Sequence, residues 1–306
     1  MEIIKLRIAD KIIQMQSDFL LKRLTREERQ ARRSERYDNF SYRGKTAADI
    51  LIEVKIVERL PEFPGARPVF ITYHFQDGEE NWRMQKYGKD YIYRCSLQSK
   101  RQVMLVSRNF DHVTAYLLPG WDGKKVWDSA DIIYDFLQVL LINYFALNKK
   151  GIFTHSFGVK DLNGKGLLFA GKSRAGKSTA ARIWHRHSGA MVLNDDRIIV
   201  LKQNGRFFIH GSPWHGNFSD YLASRIESAH LDKMFFIHHA SKNRVRAVDG
   251  KTAFRLLYPA MFPTFWDKGF LENVASFCQD LVGSVPCYIL GFVKDKRVID
   301  FVRNVK

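Results

Sequence analysis

Between Gly171 and Thr179 the chain reads Gly-Lys-Ser-Arg-Ala-Gly-Lys-Ser-Thr, a complete G-x-x-x-x-G-K-S pattern. Gly171 and Gly176 allow backbone conformations in which successive N–H groups turn toward one anion, and a helix starting near Lys177 adds its positive end. Such a loop cradles phosphates. Lys177, expected on a solvent-facing loop, would reach the β- and γ-phosphates of a nucleotide, and Ser178 would offer its hydroxyl oxygen to magnesium. Gly171, Lys172, Ser173, Arg174, Ala175, Gly176, Lys177, Ser178 and Thr179 are therefore the candidate nucleotide-binding residues, with ATP and Mg2+ as the implied cofactors. Lys172 and Arg174 either add charge for a transferring phosphoryl group or face solvent.

Magnesium keeps several waters and takes few protein ligands, so a loop of this kind needs a carboxylate at a nearby strand end. Asn194-Asp195-Asp196 follows the strand-like run Ala190–Leu193. Two adjacent carboxylates there can divide the labour, one orienting the metal and the other accepting a proton from an attacking hydroxyl. Ser178, Asp195 and Asp196 are the candidate metal ligands, and Lys177, Asp195 and Asp196 candidate catalytic residues. A solvated turn is the plainer reading of the two aspartates. His155, in the strand-like run Phe153–Val159, reads as structural when taken alone. Gly211-Ser212-Pro213-Trp214-His215-Gly216-Asn217 either lines an acceptor pocket or is a plain loop. His185, His187, His238 and His239 lack metal-site partners at useful spacing and read as structural or surface residues.

These residues need elements to hold them. Gly166–Ala170 is a buried-strand pattern entering the loop, and Ser178–His187 a helix leaving it, which is the arrangement the motif requires. Ile198–Leu201 and Phe207–His210 flank Gln203-Asn204-Gly205, a hairpin signal. Upstream, Ile50–Ile56, Val69–Phe75 and Gln102–Val106 are short apolar runs separated by turn residues, predicting an N-terminal antiparallel β region with no evident chemistry, its His74 and His112 being isolated. Ala130–Leu147, preceded by Asp128 and Ser129 and followed by Lys149, Lys150 and Gly151, predicts one helix. Asp131, Asp135, Gln138 and Asn143 interrupt it, so it is expected to be buried in protein rather than lipid.

Composition bounds the remaining choices. The 306 residues are 45% hydrophobic and 13% aromatic, which excludes a disordered chain, and the formal net charge of +17 favours an anionic partner without choosing one. The densest basic block, Lys22–Arg36, carries seven basic and three acidic residues and reads as a solvated helix with weak ion pairs. It lacks the interleaved aromatics of a single-strand binder, so nucleic acid is disfavoured. No signal-peptide pattern opens the chain, and Cys95, Cys278 and Cys287 share no metal-ligand spacing. The three read as core residues, and the expected compartment is the cytoplasm.

The histidine strand, the G-K-S-x-x-G-K-S-T loop, the Asp-Asp after the next strand, the hairpin and the Pro-Trp-His-Gly segment together resemble the HPr kinase/phosphorylase-like kinases, which share a core with ATP-dependent phosphoenolpyruvate carboxykinase. The resemblance covers about residues 150 to 306, including the late Asp267–Leu281 helix and the Pro286–Phe292 strand. It implies that His155, Lys177, Ser178, Asp195 and Asp196 form a phosphoryl-transfer site, and so brings His155 into the catalytic set. Thr179 stands where the bifunctional enzymes usually carry an acidic residue. Their Arg-Gly-rich segment for phosphorolysis has no good match, Arg225 being the nearest basic residue. The likeness is thus nearer to the looser group that includes lasso-peptide-tailoring kinases and free-serine kinases.

The expected architecture is an α/β fold. A β-rich region over residues 1–148 ends in a buried helix, and a P-loop domain with an HPr kinase/phosphoenolpyruvate carboxykinase-like core covers 149–306. The expected function is an ATP-dependent kinase transferring the γ-phosphoryl group to a serine-like hydroxyl on a protein, peptide or small molecule. The alternative is a nucleotide-sensing or nucleic-acid-associated regulatory protein. No membrane partner is expected, and a homo-oligomer is compatible with the sequence.

Overall fold

The computed structural model describes residues 2–18, 21–22, 37, 39–73, 78–95, 102–119, 127–216 and 226–306. The basic stretch 23–36, His74, Asn217 and Arg225 lie outside the described residues. The chain divides into two units, Met1–Tyr144 and Phe145–Lys306, each described by itself. Among the described residues the fold is mixed α/β, with two large sheets and five α-helices. None of these helices is long and apolar enough to cross a membrane.

The first unit contains β1 (Glu2–Ile8), β2 (Lys11–Ser17), β3 (Leu21–Lys22), β4 (Ile50–Ile56), β5 (Arg67–Tyr73), β6 (Glu80–Tyr87), β7 (Asp90–Cys95), β8 (Gln102–Val106), β9 (His112–Leu117) and β10 (Trp127–Asp128). Eight of these form one sheet in the order β1-β2-β4-β9-β8-β7-β6-β5. The expected antiparallel region needs correction, because β2 with β4 and β4 with β9 pair in parallel. Parallel neighbours require a long return connection, which a local reading of hairpin signals does not reveal. Alternation decides the faces: in β4 Ile50, Ile52 and Val54 are buried while Leu51, Glu53 and Lys55 are not. His112 Nε2 lies 3.4 Å from Glu53 Oε2 on the neighbouring strand. Helix α1 (Ser129–Leu147) begins in this unit and carries the division near its C-terminal end.

The second unit contains β11 (Gly151–Lys160), β12 (Lys165–Ala170), α2 (Lys177–His187), β13 (Met191–Asn194), β14 (Arg197–Gln203), β15 (Arg206–His210), β16 (Ser228–His239), β17 (Arg244–Ala247), α3 (Gly250–Leu257), α4 (Lys268–Ser284), β18 (Cys287–Phe292) and α5 (Arg297–Arg303). Strands β11, β14, β15, β16 and β12 pair in sequence, and β12 pairs back onto β11, so the five close a ring. The β14–β15 hairpin turns on Asn204 and Gly205, both with positive φ (48° and 77°), as a two-residue type I′ loop requires.

Direction matters most for function. Strands β12, β16 and β18 are mutually parallel, and β13, antiparallel to β11, runs the same way. The carboxyl ends of all four therefore lie at one end of the sheet, the end from which the Gly171–Gly176 segment leaves β12. An aromatic ladder locks that register. Phe157 stacks on Phe169 at 4.4 Å, Phe169 on Phe235 at 5.2 Å and Phe235 on Tyr288 at 5.4 Å. Each pair contributes about 0.5–1.5 kcal/mol beyond its buried area. Trp184 of α2, 1% exposed, packs on Phe169 at 5.7 Å and seats the helix, and with it the loop, on the sheet.

Candidate functional site

Gly171–Gly176 connects the end of β12 to the start of α2. Ala175 N–H donates to the Lys172 carbonyl (3.1 Å), and the loop turns through Arg174 at φ 64° and Gly176 at φ 96°. A Cβ on Gly176 would lie 2.3 Å from His239 Cε1, so only glycine combines this φ with this contact. Gly176 is the N-cap of α2 and gives its first-turn amides no side-chain hydrogen bond, and such amides at a helix start are the groups that bind anions. Lys172, Ser173 and Arg174 are exposed, while Ser178 and Thr179 are half-buried. Lys177 departs from expectation. It is 7% exposed, and its Nζ donates to the carbonyls of Gly171 (2.8 Å) and Lys172 (3.1 Å). Burial, joined by the charge of Arg197, lowers its pKa against the opposing pull of Asp196.

The two aspartates occupy different environments. Asp195 is 1% exposed, and its Oδ1 accepts from the Gly216 amide at 3.0 Å. Asp196 accepts from His155 Nε2 through Oδ1 at 2.8 Å and pairs with the Arg197 guanidinium through Oδ2. Burial alone would raise the Asp196 pKa. The hydrogen bond from His155 and the charges of Arg197, His155 and Lys177 together outweigh it and hold the carboxyl below its ordinary range. Strand β11 supplies this partner because His155 pairs with Arg197 across the β11–β14 ladder, which sets it beside the aspartate turn.

Four further residues build the surroundings, of which sequence reading missed only Phe262. Asn194, fully buried, accepts from the amides of Asp196 (2.8 Å) and Arg197 (2.9 Å). It donates to the carbonyls of Ser212 (2.8 Å) and Trp214 (2.9 Å), tying the aspartate turn to the Gly211–Gly216 segment. Gly216 lies over both aspartates, where a Cβ would approach Asp195 Oδ2 to 3.0 Å and Asp196 Cβ to 3.2 Å. Phe262, whose amide bonds to the Phe153 carbonyl, backs the Arg197 guanidinium at 4.2 Å. His239, at the end of β16, lies against the loop. Asn194 before an Asp-Asp at a strand end and Gly216 within the Gly211–Asn217 segment carried a local signal; the placing of His239, read as structural or surface, and of Phe262 is set by long-range packing.

The residues fit a magnesium nucleotide by their chemistry. A glycine loop leading into a helix start with no side-chain cap suits phosphates, and hydroxyl and carboxylate oxygens suit a hard cation. Among the described residues no group of three or more His, Cys, Asp or Glu is placed to hold a metal ion. Both carboxylates already accept hydrogen bonds, which favours holding a hydrated ion through water.

No family model matches the chain, and no curated protein sequence does. Among solved structures, the HPr(Ser) kinase/phosphatase from Coxiella burnetii aligns with 50% of this chain and 94% of its own, at 14% identity and a TM-score of 0.30. At that level the likeness is distant and carries no argument, so a functional reading rests on the residues of this chain.

Proposed function

We propose that the protein is an ATP-dependent phosphotransferase acting on a hydroxyl, with the second unit as an HPr kinase-like P-loop domain. One observation carries the reading. His155 from β11, Asp196 from the β13–β14 turn and Lys177 from the glycine loop, three separated segments, converge so closely that Asp196 bonds His155 at 2.8 Å and perturbs Lys177. A lysine for phosphate charge beside a carboxylate–imidazole pair for a proton is what hydroxyl phosphorylation needs.

Bound at the loop with magnesium, ATP would supply the transferable phosphoryl group. Gly171–Thr179 would hold the phosphates, Lys177 would exchange its two carbonyl partners for phosphate oxygens, and Ser178 with the aspartates would hold the ion. Asp196 keeps the His155 imidazole oriented, and the pair together accepts the proton released by the hydroxyl. Asp195 anchors Gly216 and so shapes the wall beside the pair. The acceptor is serine-like, on a peptide, protein or small molecule.

The test incubates the full chain with labelled ATP, magnesium and a cell extract and identifies what gains label. Lys177→Met should abolish ATP binding. Asp196→Asn should keep ATP affinity within about tenfold yet lose transfer by about 10² or more. Full transfer by Asp196→Asn toward the identified acceptor would refute the mechanism.

A further inference from the structure

The reactive pair lies on one flank of the glycine loop. Strand β12, which feeds the loop, has β11 with His155 on one side and β16 on the other. Strand β16 pairs Phe236 with Ala170, the last residue before the loop, and continues three residues to His239. The His239 imidazole sits against Gly176 and packs on Phe292, the end of β18, with centroids 5.2 Å apart and planes at 41°. Phe292 is 1% exposed, whereas His239 is exposed to solvent. The flank opposite the acid–base pair therefore presents an aromatic ring, supported from beneath, directly beside the loop.

A nucleoside triphosphate is elongated, and its two ends cannot share a flank. If the terminal phosphate meets His155 and Asp196, the sugar and base leave the loop on the β16 side. We propose that His239, backed by Phe292, is the stacking platform for the nucleobase; this rests on the nucleotide reading above. Partial desolvation against the loop, joined by the charges of Lys294 and His238, lowers the His239 pKa from the ordinary imidazole value. Stacking uses the face that every base possesses, so the platform takes purines without reading their edges.

The test measures affinities of the full chain for Mg·ATP, Mg·GTP and Mg·tripolyphosphate, the last carrying the phosphates without a base. The wild-type protein should bind ATP and GTP within about threefold of each other, and both about tenfold or more tighter than tripolyphosphate. His239→Ala should weaken ATP and GTP by about tenfold and leave tripolyphosphate within about twofold. His239→Phe, which keeps a stacking ring, should restore nucleotide affinity. Equal losses for ATP and tripolyphosphate in His239→Ala would mean a phosphate contact and overturn the platform, as would unchanged ATP affinity or failure of His239→Phe to bind ATP. A wild-type protein that binds neither ATP nor tripolyphosphate would defeat the nucleotide reading itself, a separate result.

Discussion

Removing the Asn194 side chain should unfasten the aspartate turn. Asn194→Ala deletes four hydrogen bonds of 2.8–2.9 Å: those accepted from the Asp196 and Arg197 amides and those donated to the Ser212 and Trp214 carbonyls. Each is worth about 0.5–1.5 kcal/mol net, and the site is fully buried, so water cannot replace them without opening it. The expected loss is about 4 kcal/mol, a large part of the 5–15 kcal/mol typical of a whole domain. Asn194→Asp separates the two roles. It keeps the acceptor for the amides, but sets carboxylate oxygen against the two carbonyls, so it too should destabilise, and less at low pH where the carboxyl can donate. Urea unfolding of the full chain gives the global effect, and hydrogen exchange on peptides covering 191–216 gives the local one. Asn194→Ala losing less than about 1 kcal/mol with unchanged exchange would refute the account of how the turn is held.

Two further outcomes follow from the perturbed groups. The depressed pKa of Asp196 means that its ion pairing stabilises the fold above the unfolded carboxyl value, near 3.9, and that this contribution is lost as pH falls through the lower folded value. The melting-temperature gap between wild type and Asp196→Asn should therefore be full at pH 7 and close on acidification below about pH 4; a gap that stays constant or widens contradicts the pairing. Cys278 and Cys287 are buried, with pKa values pushed up to about 12 by desolvation. At pH 8 only about one thiol in ten thousand is ionised, so peptide mapping after alkylation should find both unmodified until the chain is unfolded. Rapid labelling of either in the native protein contradicts their placement.

Much of the local structure was legible. The strand before the glycine loop, the helix after it, the Asn204-Gly205 hairpin, β4, β8 and α1 follow from apolar periodicity and turn chemistry, which act over a few residues. The long strand β16 was not, because Asp232 and Lys233 break its apolar pattern and its support comes from β12 and β18, distant in sequence. Within the candidate site, the types of Lys177, Asp195 and Asp196 suggested a chemistry, and His155 joined them only through the resemblance, but the environment of none was legible. Adjacent aspartates look equivalent on paper, yet one bonds the Gly216 amide while the other pairs with His155 and Arg197, since successive side chains at a strand end project to different sides. Lys177 reads as exposed because lysine usually is, and is buried because the loop folds its own carbonyls over the ammonium. Residue types and short spacings alone were enough to nominate groups for the proposed phosphate and proton chemistry. Which of them meet is set by the fold, because the closing of β11 onto β12 and β14 and the parallel run of β12 with β16 join segments tens of residues apart, a matter of register and packing that no local pattern encodes.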